Sequence, residues 1–240
     1  MMDQATRDRE VSTQFIAIYN TFDRWMRGAL KEGNERSFCA ILKEMTKRYS
    51  AIDRNYKFLL DMADVRNLVV HTSLSNGVGL VVPTQAVVDE FSTIVTMITN
   101  PPKLLSYSTK NVKVRSFQDS LSSALREMGA HDYSQLLVQD MSGSHRLITR
   151  EGIATWLEQS IEDDLVSIAE TTIEEIIRCE DVSTYCFMSR STDIWEGIQA
   201  FSDPKRRIQA LILTQHGRAS EQPLGLITAY DIARIVAAFA

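Results

Sequence analysis

Apolar residues recur every three to four positions through the first hundred residues. Phe15, Ile18, Tyr19, Phe22, Trp25, Met26 and Ala29 draw a wide stripe that predicts an amphipathic helix over 11–30. Glu32-Gly33-Asn34 reads as a turn. Phe38, Ile41, Leu42 and Met45 predict a second helix over about 36–48, with Ser37 placed to cap it. A third runs from about 51 to 70 on Tyr56, Leu59, Leu60 and Ala63, and Thr72–Gly77 stop it. The short apolar run Gly77–Val82 fits a loop or a small strand. Pro83-Thr84 then opens a fourth helix through about Ile98, since proline suits a first helical turn. Four such helices predict an all-α four-helix bundle over 1–102, closed by Asn100-Pro101-Pro102.

From 103 onward the period changes. Lys110–Phe117 alternates as a strand, Ser120–Met128 reads as a short helix, and Ser134–Gln139 and Arg146–Thr149 are strands about the turn Ser142-Gly143-Ser144. A helix opens over Gly152–Leu157. The same order returns: strand Thr184–Met188, helix Asp193–Phe201, strands Gln209–Leu213 and Leu224–Thr228, helix Asp231–Phe239. Leu121 matches Ile194 and Met128 matches Phe201 at a shift of 73, and Thr149 matches Thr228 at a shift of 79. A β-α-β-β-α unit present twice is a duplicated domain rather than a solenoid, which needs three or more units. The predicted class is multidomain, α followed by α/β, with 1–102 helical and 103–240 duplicated. Repeat one covers about 105–165 and repeat two about 180–240. Between them Glu162-Asp163-Asp164 and Glu170–Arg178 form an acidic linker, whose Ile173, Ile176 and Ile177 give one apolar face.

Composition narrows the class. The chain of 240 residues is 44% hydrophobic and 24% charged, as in an ordinary globular protein. The first ten residues hold no apolar h-region, and no apolar run approaches a membrane span, so a cytoplasmic protein with no membrane partner is expected. Cys39, Cys179 and Cys186 are odd in number without C-x-x-C spacing, and the four histidines are dispersed, so neither disulfides nor a metal site is expected. Residues 1–100 carry 12 Lys+Arg against 12 Asp+Glu, and all of the net charge of −5 lies beyond them. A domain that grips long nucleic acid is usually net basic. Here only Lys43, Lys47, Arg48, Arg54 and Lys57 offer a local basic rim or, equally, a solvated helix face.

Two stretches carry candidate chemistry. Arg66-Asn67 followed by His71 sets a permanent guanidinium and a neutral-pH imidazole five positions apart at the end of the third helix. On an ideal helix these positions lie about 140° apart, so they converge only at a frayed end or through a second copy. The motif resembles that of the HEPN superfamily, many of whose members are metal-independent endoribonucleases working as dimers. The resemblance implies that Arg66 binds the scissile phosphate, His71 acts as general acid or base, and Asn67 orients them. It implies an RNA substrate, products with 2′,3′-cyclic phosphate and 5′-hydroxyl ends, and no catalytic cofactor. Leu74 stands where one subset carries the tyrosine targeted by an antitoxin nucleotidyltransferase, so that partner is not implied.

The second stretch is Gly225-Leu226-Ile227-Thr228-Ala229-Tyr230-Asp231, at the join of the last strand and last helix. Together with the duplicated unit it resembles the cystathionine-β-synthase (CBS) domain signature, G-h-x-T/S-x-x-D, over roughly 105–240. A CBS pair usually binds adenine nucleotides (AMP, ADP, ATP or a cyclic dinucleotide) between its repeats. The resemblance implies a regulatory ligand site on Gly225, Ile227, Thr228 and Asp231, with adenine against Tyr185, Phe187 or Ile227. A helix start offers free N–H groups to phosphate, and a carboxylate accepts from two ribose hydroxyls. Lys205, Arg206 and Arg207 reach phosphate or form a solvated loop. In repeat one, Arg146-Leu147-Ile148-Thr149-Arg150-Glu151-Gly152 keeps the threonine but has Arg for the glycine and Gly for the aspartate, which predicts a weak or empty second cleft. Alternatively, Thr228 and Asp231 only cap the last helix of a dimerisation scaffold.

Together the two resemblances imply a homodimeric, adenine-nucleotide-regulated endoribonuclease, with higher oligomers open. The alternative is a non-catalytic nucleotide sensor whose helical domain binds a protein or RNA partner.

Overall fold

The computed structural model describes residues 3–33, 35–71, 81–160 and 167–239, the side chain of 239 excepted. Leu74, the stop at 72–77, most of the run Gly77–Val82, Asn34 of the first turn and the acidic triplet 162–164 lie outside the described residues. Val81 and Val82 are neither helix nor strand. The chain divides into two compact units, Met1–Pro102 and Lys103–Ala240. Among the described residues no helix is long and apolar enough to cross a membrane.

The first unit is helical. Helix α1 (Gln4–Leu30) starts earlier than its apolar stripe, and Lys31, in the left-handed conformation at φ 56°, ends it. Phe15, Tyr19, Phe22 and Met26 form its buried face at near-helical spacing. Helix α2 (Phe38–Met45) is capped by Ser37, whose hydroxyl accepts from the Ala40 amide at 3.3 Å. The third predicted helix is two: α3 (Ser50–Arg54) and α4 (Tyr56–His71). Asn55 separates them at φ −99°, ψ 11°, and its amide bonds back to the Ala51 carbonyl at 2.8 Å, a local alternative to the helical ladder. Among the described residues the four-helix expectation therefore becomes five helical segments. Helix α5 (Gln85–Thr99) starts at the Thr84 cap and buries Val88, Phe91, Val95 and Ile98. Aromatic contacts tie the interior: Phe15 to Phe91 at 5.5 Å between ring centroids, and Tyr19 stacked on Phe38 at 4.5 Å. Ser37→Ala removes one cap and is expected to lower unfolding free energy by about 1 kcal/mol in a denaturant titration.

The second unit contains the duplicated fold. Strand β1 (Val114–Ser116), helix α6 (Leu121–His131), strands β2 (Gln135–Gln139) and β3 (His145–Thr149) and helix α7 (Arg150–Gln159) form the first repeat. After helix α8 (Ile173–Ile177), strand β4 (Tyr185–Ser189), helix α9 (Ile194–Ser202), strands β5 (Ala210–Thr214) and β6 (Gly225–Thr228) and helix α10 (Ala229–Phe239) form the second. Each repeat has a three-stranded sheet, its first two strands parallel and its last two antiparallel. The first strand is shorter than its alternating pattern, because Asn111 adopts φ 54° and breaks the extended run.

Alternation on β2 explains its continuous apolar run. Leu136 and Val138, with Ile148 of β3, pack against Leu121, Ala124, Met128 and Trp156. Leu137 and Leu147 point the other way and meet Tyr185, Ala210 and Ile212 of the second sheet. Ile173, Ile176 and Ile177 of the linker helix α8 complete the core of the first repeat. The chain ahead of β1 joins the second repeat: Thr109 and Leu226 exchange backbone hydrogen bonds of 2.9 and 3.1 Å.

Candidate functional site

Strand β6 ends at Thr228, and α10 begins one residue later. Asp231, in the first helical turn, turns one carboxylate oxygen back to accept from the Thr228 amide and hydroxyl, both at 2.9 Å. This carboxylate, one half of a capping box, fixes the strand-to-helix corner. The other Asp231 oxygen takes no hydrogen bond among the described residues, and both side chains are half-buried. The corner thus presents a free carboxylate edge, a hydroxyl and the unsatisfied N–H groups of a helix start. Gly225 admits Ser108, since a Cβ there would overlap the serine side chain. Ile227 is wholly buried and Tyr185 nearly so; Tyr185 packs in the core between the sheets, while Ile227, in register with Leu211 and Cys186, lies on the opposite face of its sheet. Phe187, at 6.1 Å from Tyr185 and edge-on to it, is only half-buried. Thr228 and Asp231 are therefore brought together, while Ile227 and Tyr185 lie behind them as core.

The first repeat builds the same corner differently. Thr149 caps α7 by accepting from the Gly152 amide at 2.9 Å. The carboxylate that meets Thr149 comes from Glu180, beyond α8: its Oε1 accepts from the Thr149 amide at 2.6 Å, and both oxygens lie within 3.2 Å of the Thr149 hydroxyl. A Cβ at position 152 would overlap this carboxylate, so glycine is required for its entry. A cavity of about 170 Å³ opens here, with Thr149, Gly152, Glu180, Thr184, Arg207 and Gln209 in its wall. Of the three basic loop residues, Arg207 lies at this cleft, and Arg206 is near enough to Cys186 to oppose the rise that burial gives its thiol.

Burial, with the carboxylates of Glu151 and Asp181 nearby, pushes Glu180 up to about 7 against the pull of the Thr149 donors. The folded pKa lies above the unfolded one. Stability from this group is therefore complete below the ordinary carboxylate range and lost as pH rises through about 7. Between pH 5 and pH 8 the wild type is expected to lose about 1–2 kcal/mol relative to Glu180→Gln, after allowing for solvent screening at this half-buried site. Denaturant midpoints at the two pH values measure the difference.

In the helical unit, α4 stays helical through His71, so Arg66 and His71 point about 140° apart around it and no frayed end reunites them. His71 is exposed. Arg66 is half-buried, with its guanidinium 5.5 Å from the centre of the Tyr19 ring. One of its terminal nitrogens donates to Asn67 at 3.4 Å, while its buried Nε has no partner among the described residues. Burial and the Asp23 carboxylate push the Tyr19 phenol up, so it stays protonated beneath the cation. Arg66 and Asn67 are brought together; His71 is not joined to them within one protomer.

No protein-family model matches the chain, and no curated protein does. Solved structures match over somewhat more than half of the chain. A putative acetoin utilization protein from Vibrio cholerae is 16% identical over 57% of this chain and 92% of its own, with a TM-score of 0.44. CBSX2 in complex with AMP is 13% identical over 57% and 96%, at 0.43. A CBS domain pair in complex with 5′-methylthioadenosine and S-adenosyl-L-methionine is 18% identical over 58% and 99%, at 0.45.

Sequence reasoning did not find Glu180, Thr184 or Gln209. The one signal was Gly152 in the signature aspartate position, which marks a missing carboxylate without saying which residue replaces it.

Proposed function

We propose that 103–240 is a CBS-type regulatory pair that binds an adenine nucleotide, with the helical unit 1–102 as its effector. The observation that carries this reading is the Thr228–Asp231 corner, where one carboxylate oxygen holds the turn and the other is free. Ribose hydroxyls donate to the free edge of Asp231, phosphate takes the first amides of α10, and the half-buried face of Phe187 is the ring surface nearest in kind to adenine. Gly225 holds the Leu104–Thr109 segment close to this strand, so ligand binding and that segment are mechanically linked.

The reading predicts a ligand-dependent melt. AMP at a hundredfold excess over its dissociation constant stabilises the native state by about 2.7 kcal/mol. A clear rise in melting temperature with AMP, ADP or ATP supports the reading; a melt unmoved by all three contradicts it.

For the helical unit, the reading of a metal-independent endoribonuclease of the HEPN type is favoured by Arg66 and Asn67 sharing a hydrogen bond on α4, with His71 exposed at the end of the same helix. Their divergence around α4 calls for a homodimer, in which Arg66 of one protomer and His71 of another face one phosphate. Arg66 stabilises the charged phosphorane, His71 moves the proton, and the 2′-hydroxyl attacks to leave a 2′,3′-cyclic phosphate and a 5′-hydroxyl. The non-catalytic alternative is an adenine-nucleotide sensor whose helical unit binds a protein or RNA partner. It is favoured by the cation–π seat of Arg66 on Tyr19, which gives the arginine a structural role.

A further inference from the structure

The two repeats solve one problem with different residues. In repeat two, a carboxylate in the first turn of α10 accepts from the amide and hydroxyl of Thr228. In repeat one that turn holds Gly152, and Glu180, twenty-eight positions further along the chain, accepts from the amide and hydroxyl of Thr149. The three atoms nearest to a Cβ built at 152 all belong to the Glu180 carboxylate. Glycine and glutamate therefore form a matched pair: the side chain removed at 152 vacates the volume that Glu180 fills.

We propose that the cleft at Thr149 is a ligand site of its own, in which Glu180 stands in for the missing aspartate and receives the 2′,3′-diol of an uncharged or cationic ribonucleoside. This rests on reading the second unit as a nucleotide-binding pair. Three observations define the ligand. Glu180 lines the cavity, and its Oε1 is spent on the Thr149 amide, while its Oε2 shares only the single Thr149 hydroxyl proton and keeps acceptor capacity for a diol. The cavity, at about 170 Å³, is slightly larger than the ~150 Å³ that accommodates one benzene ring, so it encloses the sugar and leaves the base and 5′ substituent at its mouth. That mouth is acidic. Among the described residues lining it, Glu151 and Asp181 stand with Glu180 against one cation, Arg207, and Gln209 is already committed to Glu151 at 2.8 Å. A 5′-phosphate there meets net negative charge, whereas a neutral or cationic 5′ group does not.

The test is calorimetric titration of the full chain carrying Asp231→Asn, which silences the other cleft. Adenosine is expected to bind, with 2′-deoxyadenosine and AMP each at least tenfold weaker. Adding Glu180→Gln, which keeps an acceptor for the Thr149 amide, is expected to weaken adenosine at least tenfold. Moving the carboxylate back, with Gly152→Asp and Glu180→Ala together, is expected to restore adenosine binding that Glu180→Ala alone abolishes. The proposal is overturned if adenosine binding ignores Glu180→Gln, if AMP binds as tightly as adenosine, or if the Asp231→Asn chain binds no adenosine while the wild type binds AMP. In those cases the nucleotide-binding reading of the pair still stands. A wild-type chain that binds neither AMP nor adenosine overturns both.

Discussion

Replacing His71 by Ala is expected to lower RNA cleavage by the full chain about 10²–10⁴-fold in EDTA while leaving its affinity for AMP unchanged. The size is that of a general acid or base removed from proton transfer in the transition state. Its locality follows from position: His71 closes α4 and is exposed, so alanine opens no cavity and breaks no buried contact. Labelled mixed-sequence RNA, with product ends mapped for cyclic phosphate, reads the effect. Residual cleavage unchanged by the substitution assigns the activity to a contaminating nuclease. Mixing His71→Ala with Arg66→Ala chains adds a second reading. If the site forms between protomers, mixed dimers regain one composite site, and activity returns on mixing two dead variants.

Asp231→Ala carries the second large effect. A carboxylate accepting two hydroxyl donors loses two charge-assisted hydrogen bonds, each worth about 1.5–3 kcal/mol before the ligand rearranges. AMP affinity is expected to fall at least a hundredfold. The same substitution strips the Thr228 amide and hydroxyl of their acceptor at the start of α10, so about 0.5–2 kcal/mol of stability goes with it. These effects separate experimentally. Asp231→Asn keeps an acceptor for the Thr228 amide and most of the stability, but its neutral amide oxygen is a poorer acceptor for the diol. A variant that keeps its melting temperature and still loses AMP places the carboxylate in binding rather than in capping.

The helices and strands were legible because periodicity reports which face is buried. The 3.6-residue stripe of α1 and the two-sided apolar run of β2 each follow from a core on known sides. The breaks were less legible. Asn55 divides one long apolar pattern into α3 and α4 through a side-chain bond to Ala51, and Asn111 cuts the first strand short by taking a left-handed conformation. Neither asparagine disturbs the hydrophobic count, so a pattern of apolar positions passes over both. Thr228 and Asp231 were readable because they lie three residues apart at a strand-to-helix join, a local spacing. Glu180 meets Thr149 from thirty-one positions away, and no local spacing encodes that contact. Tyr185 and Ile227, offered from sequence as an adenine surface, are both buried but on opposite faces of the second sheet, Tyr185 toward the first sheet and Ile227 away from it, because both faces of this sheet are covered and alternation alone does not say which positions stay accessible.

A nucleotide bound at the second repeat is the state on which regulation of the helical unit depends. The direct measurement is calorimetric titration of the folded full chain with AMP, ADP and ATP, run beside Asp231→Ala. Saturable binding of at least one of them by the wild type is expected, with loss of that binding in the variant. Cooperative melting of a well-folded wild type that takes up none of the three, or binding undiminished by Asp231→Ala, contradicts it.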